Sequence, residues 1–166
     1  MHLVPKADTT VLHAALAPIF FLVGRWAGEG DGEYPTIEPF RYGEEITFSH
    51  VGKPFLAYAQ RSWNLDDGRP LHAEMGYWRC PSPETVEIVI AHPTGHVELA
   101  EGPLTGTSVA LSSVTVHGTG SAKQVEKLVR SIDVGGARLT YELQMAAVSQ
   151  PLAVHLRGSL RRVSGA

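Results

Sequence analysis

The sequence predicts an all-β protein, an up-and-down antiparallel β-barrel of about ten strands that follows one short N-terminal helix. Three observations support this class. Helical periodicity is confined to the part of the chain before residue 24. Beyond it, apolar runs alternate with turn signals at the spacing of hairpin-linked strands. The first of these runs also carries several glycines around one tryptophan, as expected of a sharply bent strand.

The N-terminal helix is the first element that the pattern predicts. A length of 166 residues is sufficient for one domain with a substantial core. We expect a flexible terminus over residues 1–10 and a single barrel domain over residues 11–166. From Val11 apolar residues recur at helical spacing, and Pro18 limits the element to a short helix or two turns. We expect this helix to act as a lid more than as a core helix.

The segment from residue 22 to residue 36 is predicted to form the first strand. It places four glycines around Trp26: Gly24, Gly28, Gly30 and Gly32. Glycine inside a strand loses packing and costs chain entropy, so it marks a bulge, a barrel corner or a close approach by another group. We therefore expect a bent strand in a crowded environment, with Trp26 as a bulky plug.

Nine further strands are predicted between turn signals. They cover residues 44–50, 55–63, 71–80, 86–91, 97–100, 109–117, 125–134, 138–148 and 152–163. A meander of this many twisted strands tends to close on itself, because closure removes the two exposed edges. A barrel of about ten strands is wider than side chains comfortably fill, so its interior or mouth can hold a small apolar molecule.

Charge and cysteine content narrow the range of partners. The formal charge of −3 gives no general electrostatic reason to bind nucleic acid or anionic lipid. The lone Cys80 cannot form an internal disulfide, which suits a reducing compartment. The apolar run over residues 11–23 is too short to span a bilayer and lacks a convincing cleavage site. We therefore expect a cytoplasmic protein with no membrane or nucleic-acid partner.

The histidines show no recognisable metal or catalytic spacing. No two have the close helical spacing of a metalloprotease, no carboxylate pair completes an obvious zinc site, and no G-x-S-x-G elbow is present. Cys80 is expected to be an inert, at least partly buried thiol. Each histidine, taken without context, is expected at the surface or in a turn: His2, His13, His50, His72, His92, His96, His117 and His155.

The glycine-rich strand also carries a family signature. Residues 24–30, Gly-Arg-Trp-Ala-Gly-Glu-Gly, resemble the G-x-W-x-G-x-G signature of the nitrobindins, haem-binding β-barrel proteins with a peroxynitrite isomerase activity. Further blocks follow in the family's order, so the resemblance covers the chain from about residue 16 to residue 163. These blocks are residues 34–40, 44–45, 50–56, 122–123, 143–145, 150–152 and 155–156.

The resemblance implies a fold and a site. It implies a barrel like those of the lipocalins and fatty-acid-binding proteins, with one haem b per subunit held at an open end. His155 corresponds to the axial ligand of the haem iron and Thr36 to a haem contact. For Lys123 two interpretations stay open: a partner of a haem propionate, because a flexible ammonium group suits a carboxylate near solvent, or a plain surface lysine in a loop. The implied activity is isomerisation of peroxynitrite to nitrate at a ferric haem iron, with nitric oxide as a further ligand. A homodimer is compatible with the resemblance.

The orientation of His155 stays open in the sequence. Leu152, Val154, Leu156 and Leu160 share one phase of the last strand, and His155 lies in the other. Either a bulge near residues 150–151 re-aims the strand, or the leucines pack outside under the helix while His155 faces the lumen. Two other functions remain as alternatives: a haem-free carrier of a fatty acid or other small apolar ligand, and an interaction module.

Overall fold

The computed structural model describes residues 10–164 as a closed antiparallel β-barrel that one 3₁₀ helix (Ala14–Leu22) precedes. Except for Thr10, the predicted flexible segment 1–10 lies outside the described residues. The strands are β1 (Gly24–Tyr34), β2 (Ile37–Ser49), β3 (Leu56–Asn64), β4 (Pro70–Ser82), β5 (Thr85–His92), β6 (His96–Thr105), β7 (Ser108–Gly118), β8 (Val125–Gly135), β9 (Arg138–Ala147) and β10 (Ala153–Ser164).

Each strand pairs with its neighbours in sequence, and β10 pairs with β1 to close the barrel. The predicted ten-stranded, up-and-down architecture is therefore confirmed. Within residues 10–164, no helix is both long enough and apolar enough to cross a membrane.

Two strands, β2 and β6, extend furthest beyond their predicted bounds. Strand β2 begins at Ile37 rather than at residue 44, because its first half pairs with the glycines of β1. Strand β6 continues through Gly102 and Pro103 to Thr105, where it pairs with both β5 and β7. In both places pairing across the barrel overrides the local signal.

The N-terminal helix closes one end of the barrel. Leu16, Ile19 and Leu22 are fully buried among the core side chains of the strands. Trp26 is also fully buried, and its indole N–H donates a hydrogen bond of 2.8 Å to the carbonyl oxygen of Leu22. The guanidinium group of Arg162 lies 4.2 Å from the centre of the Trp26 ring. The helix is thus a lid and a core element together, so the expectation that it acts as a lid more than as a core helix is wrong.

The glycines of β1 leave space for aromatic rings. A Cβ atom on Gly30 would overlap with the ring of Tyr42, and one on Gly32 would overlap with the ring of Phe40. The rings of β2 therefore lie flat across β1, which is a recognised way to support glycine within a sheet. Gly24, at the start of the strand, has a φ of 132°, a conformation that side chains rarely adopt. Crowding in this segment comes mainly from the two aromatic rings of β2.

Candidate functional site

Strand direction brings the predicted site residues to one end of the barrel. The β1–β2, β7–β8 and β9–β10 connections all lie at the end opposite the helix, which we call the mouth. Thr36 is exposed in the β1–β2 turn, and Lys123 is exposed in the β7–β8 loop. His155 lies near the start of β10, between these two connections around the rim. The structure therefore places all three at the mouth, with His155 in the middle.

A β-bulge at His155 determines which side chains of the last strand face the barrel interior. Val154 pairs with Gln144 and Leu156 pairs with Leu143, so His155 is the extra residue between them. Leu156 lines the interior and Leu160 is fully buried. Leu156 and Leu160 thus face the interior, whereas Leu152 is 44% exposed, so the alternative in which the leucines pack outside under the helix is wrong for Leu156 and Leu160. The bulge occurs at His155 itself rather than near residues 150–151.

The imidazole of His155 is held in one tautomer. Its Nδ1 lies 2.9 Å from the carbonyl oxygen of Glu33, and because a carbonyl only accepts, Nδ1 carries the hydrogen. The lone pair is therefore on Nε2. Burial lowers the pKa of His155 and outweighs the hydrogen bond to Glu33, while the charge of His72 lowers it further. The lowered pKa favours the neutral ring, which is the state that binds a metal.

Aromatic side chains flank His155. The Tyr34 ring meets it edge to face, with centroids 5.5 Å apart, and the Phe40 ring lies 6.5 Å away at a similar angle. The hydroxyl of Tyr34 bonds to backbone groups of β9, including the N–H of Ala147 at 2.9 Å. Tyr34 is therefore fixed between β1 and β9, and the half-buried imidazole has an apolar wall on one side.

A buried ion network lies inside the barrel below the mouth. The guanidinium group of Arg130 binds both carboxylate oxygens of Glu74, at 3.0 and 3.1 Å, and both of Glu98, at 2.7 and 2.9 Å. Burial alone would raise the pKa of Glu98, but the charge of Arg130 and the hydrogen bonds from His92 and Arg130 together outweigh burial, so the pKa is lowered. Two carboxylates share one guanidinium group, so these three side chains carry one net negative charge.

A third buried carboxylate, that of Glu44, has no cation at hydrogen-bond distance among the described residues. Glu44 accepts a hydrogen bond of 2.8 Å from the amide of Gln60 and one of 2.5 Å from the hydroxyl of Tyr141. The Tyr141 hydroxyl also lies 2.6 Å from that of Tyr42. Burial raises the pKa of Glu44 to about 7, and these hydrogen bonds offset it only in part.

Two histidines connect this network to the mouth. His92 Nε2 lies 3.0 Å from Glu98 Oε2, and His92 Nδ1 lies 3.3 Å from His72 Nε2. His96 is also buried and binds the carbonyl oxygen of Lys123 at 2.6 Å, which ties β6 to the β7–β8 loop. The expectation that each histidine lies at the surface or in a turn is thus wrong for the buried side chains of His92 and His96, because both face inward at strand ends.

Sequence reasoning missed the interior network. Glu44, Glu74, Glu98 and Arg130 each lie in the same alternating phase as buried apolar residues of their own strand. A charged residue at a position where the strand's alternation predicts a buried apolar one could therefore have indicated the network. Cys80, by contrast, is half-buried as expected, and burial raises the pKa of its thiol to about 11, which makes it a poor nucleophile.

The interior leaves little free volume below the rim. The cavity among the inward residues of β2, β3, β4, β8 and β9 measures about 40 Å³, room for a few water molecules. This space is too small for a macrocycle, and the half-buried His155 lies at the mouth. A closed barrel with such a histidine beside an apolar wall suits a haem iron, for which one imidazole is a common protein ligand. Fold and site define a haem-binding β-barrel.

Comparisons with known proteins give the same class. The model of a family described as the THAP4-like, heme-binding beta-barrel domain matches residues 15–162. The chain is 49% identical over 157 residues to peroxynitrite isomerase 1 of Mycolicibacterium paratuberculosis, covering 92% of this chain and 98% of that protein. It is 47% identical over 158 residues to the peroxynitrite isomerase of Nocardia farcinica, covering 93% and 94% of the two chains.

A solved structure agrees in fold. The crystal structure of Rv2717c from M. tuberculosis superposes with a TM-score of 0.86 at 45% identity, covering 92% of this chain and 99% of that one. The chain belongs to the family of THAP4-like haem-binding β-barrel domains, the nitrobindin family that the sequence motifs indicate.

Proposed function

We propose that this protein binds one haem b at the mouth of the barrel through His155 and isomerises peroxynitrite to nitrate. The observation that carries the proposal is the bulge at His155, where a hydrogen bond to the Glu33 carbonyl leaves Nε2 free on a neutral ring. Relatives that match nearly the whole chain at 47% and 49% identity are named peroxynitrite isomerases.

The side chains around the mouth have distinct roles in this proposal. His155 would hold the haem iron, and the Glu33 carbonyl orients the imidazole and would increase its basicity. Tyr34 and Phe40 give the apolar wall that excludes water from one side of the ring. Thr36 and Lys123 lie at the rim on either side of His155, where Lys123 can pair with a haem propionate near solvent.

The reaction requires little of the protein beyond positioning. Peroxynitrite and nitrate contain the same atoms and the same charge, so the isomerisation needs no net proton transfer. Ferric haem, when bound, would supply the iron chemistry of this rearrangement. The residues of the chain hold the group and shield it. We accordingly assign no protein acid or base.

Hemin titration tests the assignment of His155. Wild-type protein is expected to give a saturable ferric Soret spectrum with one haem per subunit, and His155→Ala is expected to give a different spectrum with weaker binding. His117→Ala is the matched control, because His117 is exposed at the end of β7 and should leave the spectrum unchanged. A wild-type spectrum that His155→Ala reproduces would overturn the assignment.

Stopped-flow kinetics test the activity. The haem-loaded protein is expected to accelerate the decay of peroxynitrite and to yield nitrate, whereas the haem-free protein should not differ from buffer. Equal decay in the two preparations would leave only a binding role.

We further propose that the haem-loaded protein binds nitric oxide, which a shift of the Soret band on addition of the gas would test.

The haem-free carrier function receives little support from the interior. A fatty acid needs a deep apolar cavity, whereas the space below the mouth measures about 40 Å³ and is bordered by Glu44, Glu74 and Arg130. Displacement of a fluorescent fatty-acid probe from the haem-free protein would reveal a carrier.

We also propose that the protein is located in the cytoplasm, because its lone cysteine suits a reducing compartment.

We propose that two chains associate through the outer face of β4–β6. Apolar side chains are exposed there on adjacent strands at paired positions: Met75, Tyr77, Val89, Val97 and Leu99. A shallow groove of about 280 Å³, lined by Ala57 and Ala59, lies beside Tyr77. A protruding ring next to a groove of small residues can serve both sides of a two-fold interface.

Sedimentation of the intact protein tests the homodimer. Wild-type protein is expected to sediment as a dimer, and Tyr77→Glu is expected to shift it towards the monomer because it places a charge in the interface. Thr140→Glu is the control, since Thr140 is exposed on β9, away from this face. A wild-type monomer at all concentrations would refute the dimer without affecting the haem assignment.

A further inference from the structure

Three potential metal ligands converge on one point at the mouth, apart from His155. They are His72 Nε2, His92 Nδ1 and Glu74 Oε1. The two imidazole nitrogens lie 3.3 Å apart, and Glu74 Oε1 lies 3.7 Å from His72 Nε2 and 3.8 Å from His92 Nδ1. The residues come from β4 and β5, and their spacing in sequence gives no sign of this cluster.

These distances match the ligand spacing around a small divalent cation. Zinc binds imidazole nitrogen and carboxylate oxygen at about 2.0–2.2 Å in tetrahedral geometry, so two of its ligands lie roughly 3.4 Å apart. The observed separations of 3.3, 3.7 and 3.8 Å lie within a few tenths of an ångström of that value. Small side-chain movements would therefore complete the geometry.

The surroundings of His92 favour metal binding. An ionised carboxylate only accepts hydrogen bonds, so the contact of 3.0 Å between Glu98 Oε2 and His92 Nε2 places the hydrogen on Nε2. The lone pair of His92 is then on Nδ1, the atom that faces His72 and Glu74. A carboxylate behind a metal-binding histidine is the usual arrangement that fixes its tautomer and orientation.

Charge around the cluster also favours a cation. Glu74 and Glu98 are both buried and share the guanidinium group of Arg130, so one negative charge remains uncompensated. The His92 side chain is 8% exposed and that of His72 is 31% exposed. A cation can therefore reach the cluster from the mouth past His72, and there it would meet a net negative environment.

We propose that His72, Glu74 and His92 form a binding site for a divalent transition-metal ion of the zinc type, separate from the haem position at His155. Three protein ligands leave a fourth coordination position for water. The proposal does not depend on the haem function, since the cluster shares no ligand with His155. A second metal would then lie at the same mouth.

Calorimetric titration with Zn²⁺ and visible spectroscopy with Co²⁺ test the site. Both use the full-length, haem-free His155→Ala protein, so that failure of the haem assignment would not alter the result. One equivalent of Zn²⁺ is expected to bind saturably, and Co²⁺ is expected to give the intense absorption bands of a four-coordinate ion. Absence of saturable binding of either ion would overturn the proposal.

Substitutions locate the site. His72→Ala in this background is expected to weaken Zn²⁺ binding at least about tenfold, and His92→Ala should act similarly. His72 is partly exposed and makes no contact with Arg130 among the described hydrogen bonds, so its removal should leave the fold intact. His117→Ala is the matched control and should bind Zn²⁺ normally. Equal affinity in His72→Ala and its parent would refute the assignment.

Discussion

Replacement of Glu44 by glutamine should change how the stability of the protein depends on pH. Glu44 is buried, and burial raises its pKa from 4.5 to about 7 in the folded protein. Between these two values the folded chain holds a proton on Glu44 that the unfolded chain has released. The free energy of unfolding therefore falls as pH rises through this interval and then levels off. The stabilisation that comes from Glu44 is fully present only below its unfolded pKa.

The magnitude follows from the width of the interval. From 4.5 to about 7, at about 1.4 kcal/mol for each pH unit, the loss is about 3 kcal/mol. Glutamine has the same shape and no charge, so it should not incur this loss. Its carbonyl oxygen can accept from Gln60, and its amide can donate to the Tyr141 hydroxyl, which then donates to Tyr42.

Urea unfolding of both proteins at pH 5 and pH 8 measures the effect. The stability of Glu44→Gln relative to wild type is expected to increase by roughly 2–3 kcal/mol between the two pH values. Glu45→Gln is the matched control, because Glu45 lies on the outer face and pairs with Arg25 and Arg61, contacts worth at most about 1 kcal/mol. Parallel pH profiles for wild type and Glu44→Gln would refute the reasoning.

Three further predictions concern packing, charge and reactivity. Gly30→Ala should destabilise the protein by about 1–3 kcal/mol in urea unfolding, because the new methyl group overlaps with the Tyr42 ring; Gly135→Ala, where a Cβ meets no described atom within 4 Å, should cost far less. Arg130→Met should cost about 3–5 kcal/mol by leaving two buried carboxylates unpaired, and a loss below about 1 kcal/mol would contradict the network. Cys80 should react with a thiol reagent at pH 8 at least about tenfold more slowly than free cysteine; equal rates would show that burial does not raise its pKa.

Local patterns were sufficient to predict most of the fold. Strand alternation and turn residues depend on near neighbours in the chain, so ten strands and a short helix could be predicted from the sequence. The glycines around Trp26 likewise indicated a crowded, bent strand. Family motifs then indicated His155, Thr36 and Lys123, residues that no local pattern would have selected.

Contacts across the barrel could not be predicted in the same way. The bulge at His155 arises from the register between β9 and β10, and it allows inward leucines and the histidine to occupy one strand. The cluster of His72, Glu74 and His92 and its contact with Arg130 join three strands that only barrel closure holds together.

The sequence by itself determined the all-β class, the approximate positions of the strands and the haem-binding family, because each of these depends on local spacing or on short motifs. Only the tertiary structure decided the position of His155 at a bulge, the raised pKa of Glu44 and the ion pairs of Arg130 with Glu74 and Glu98. These properties depend on register, burial and distances between strands that lie far apart in the chain.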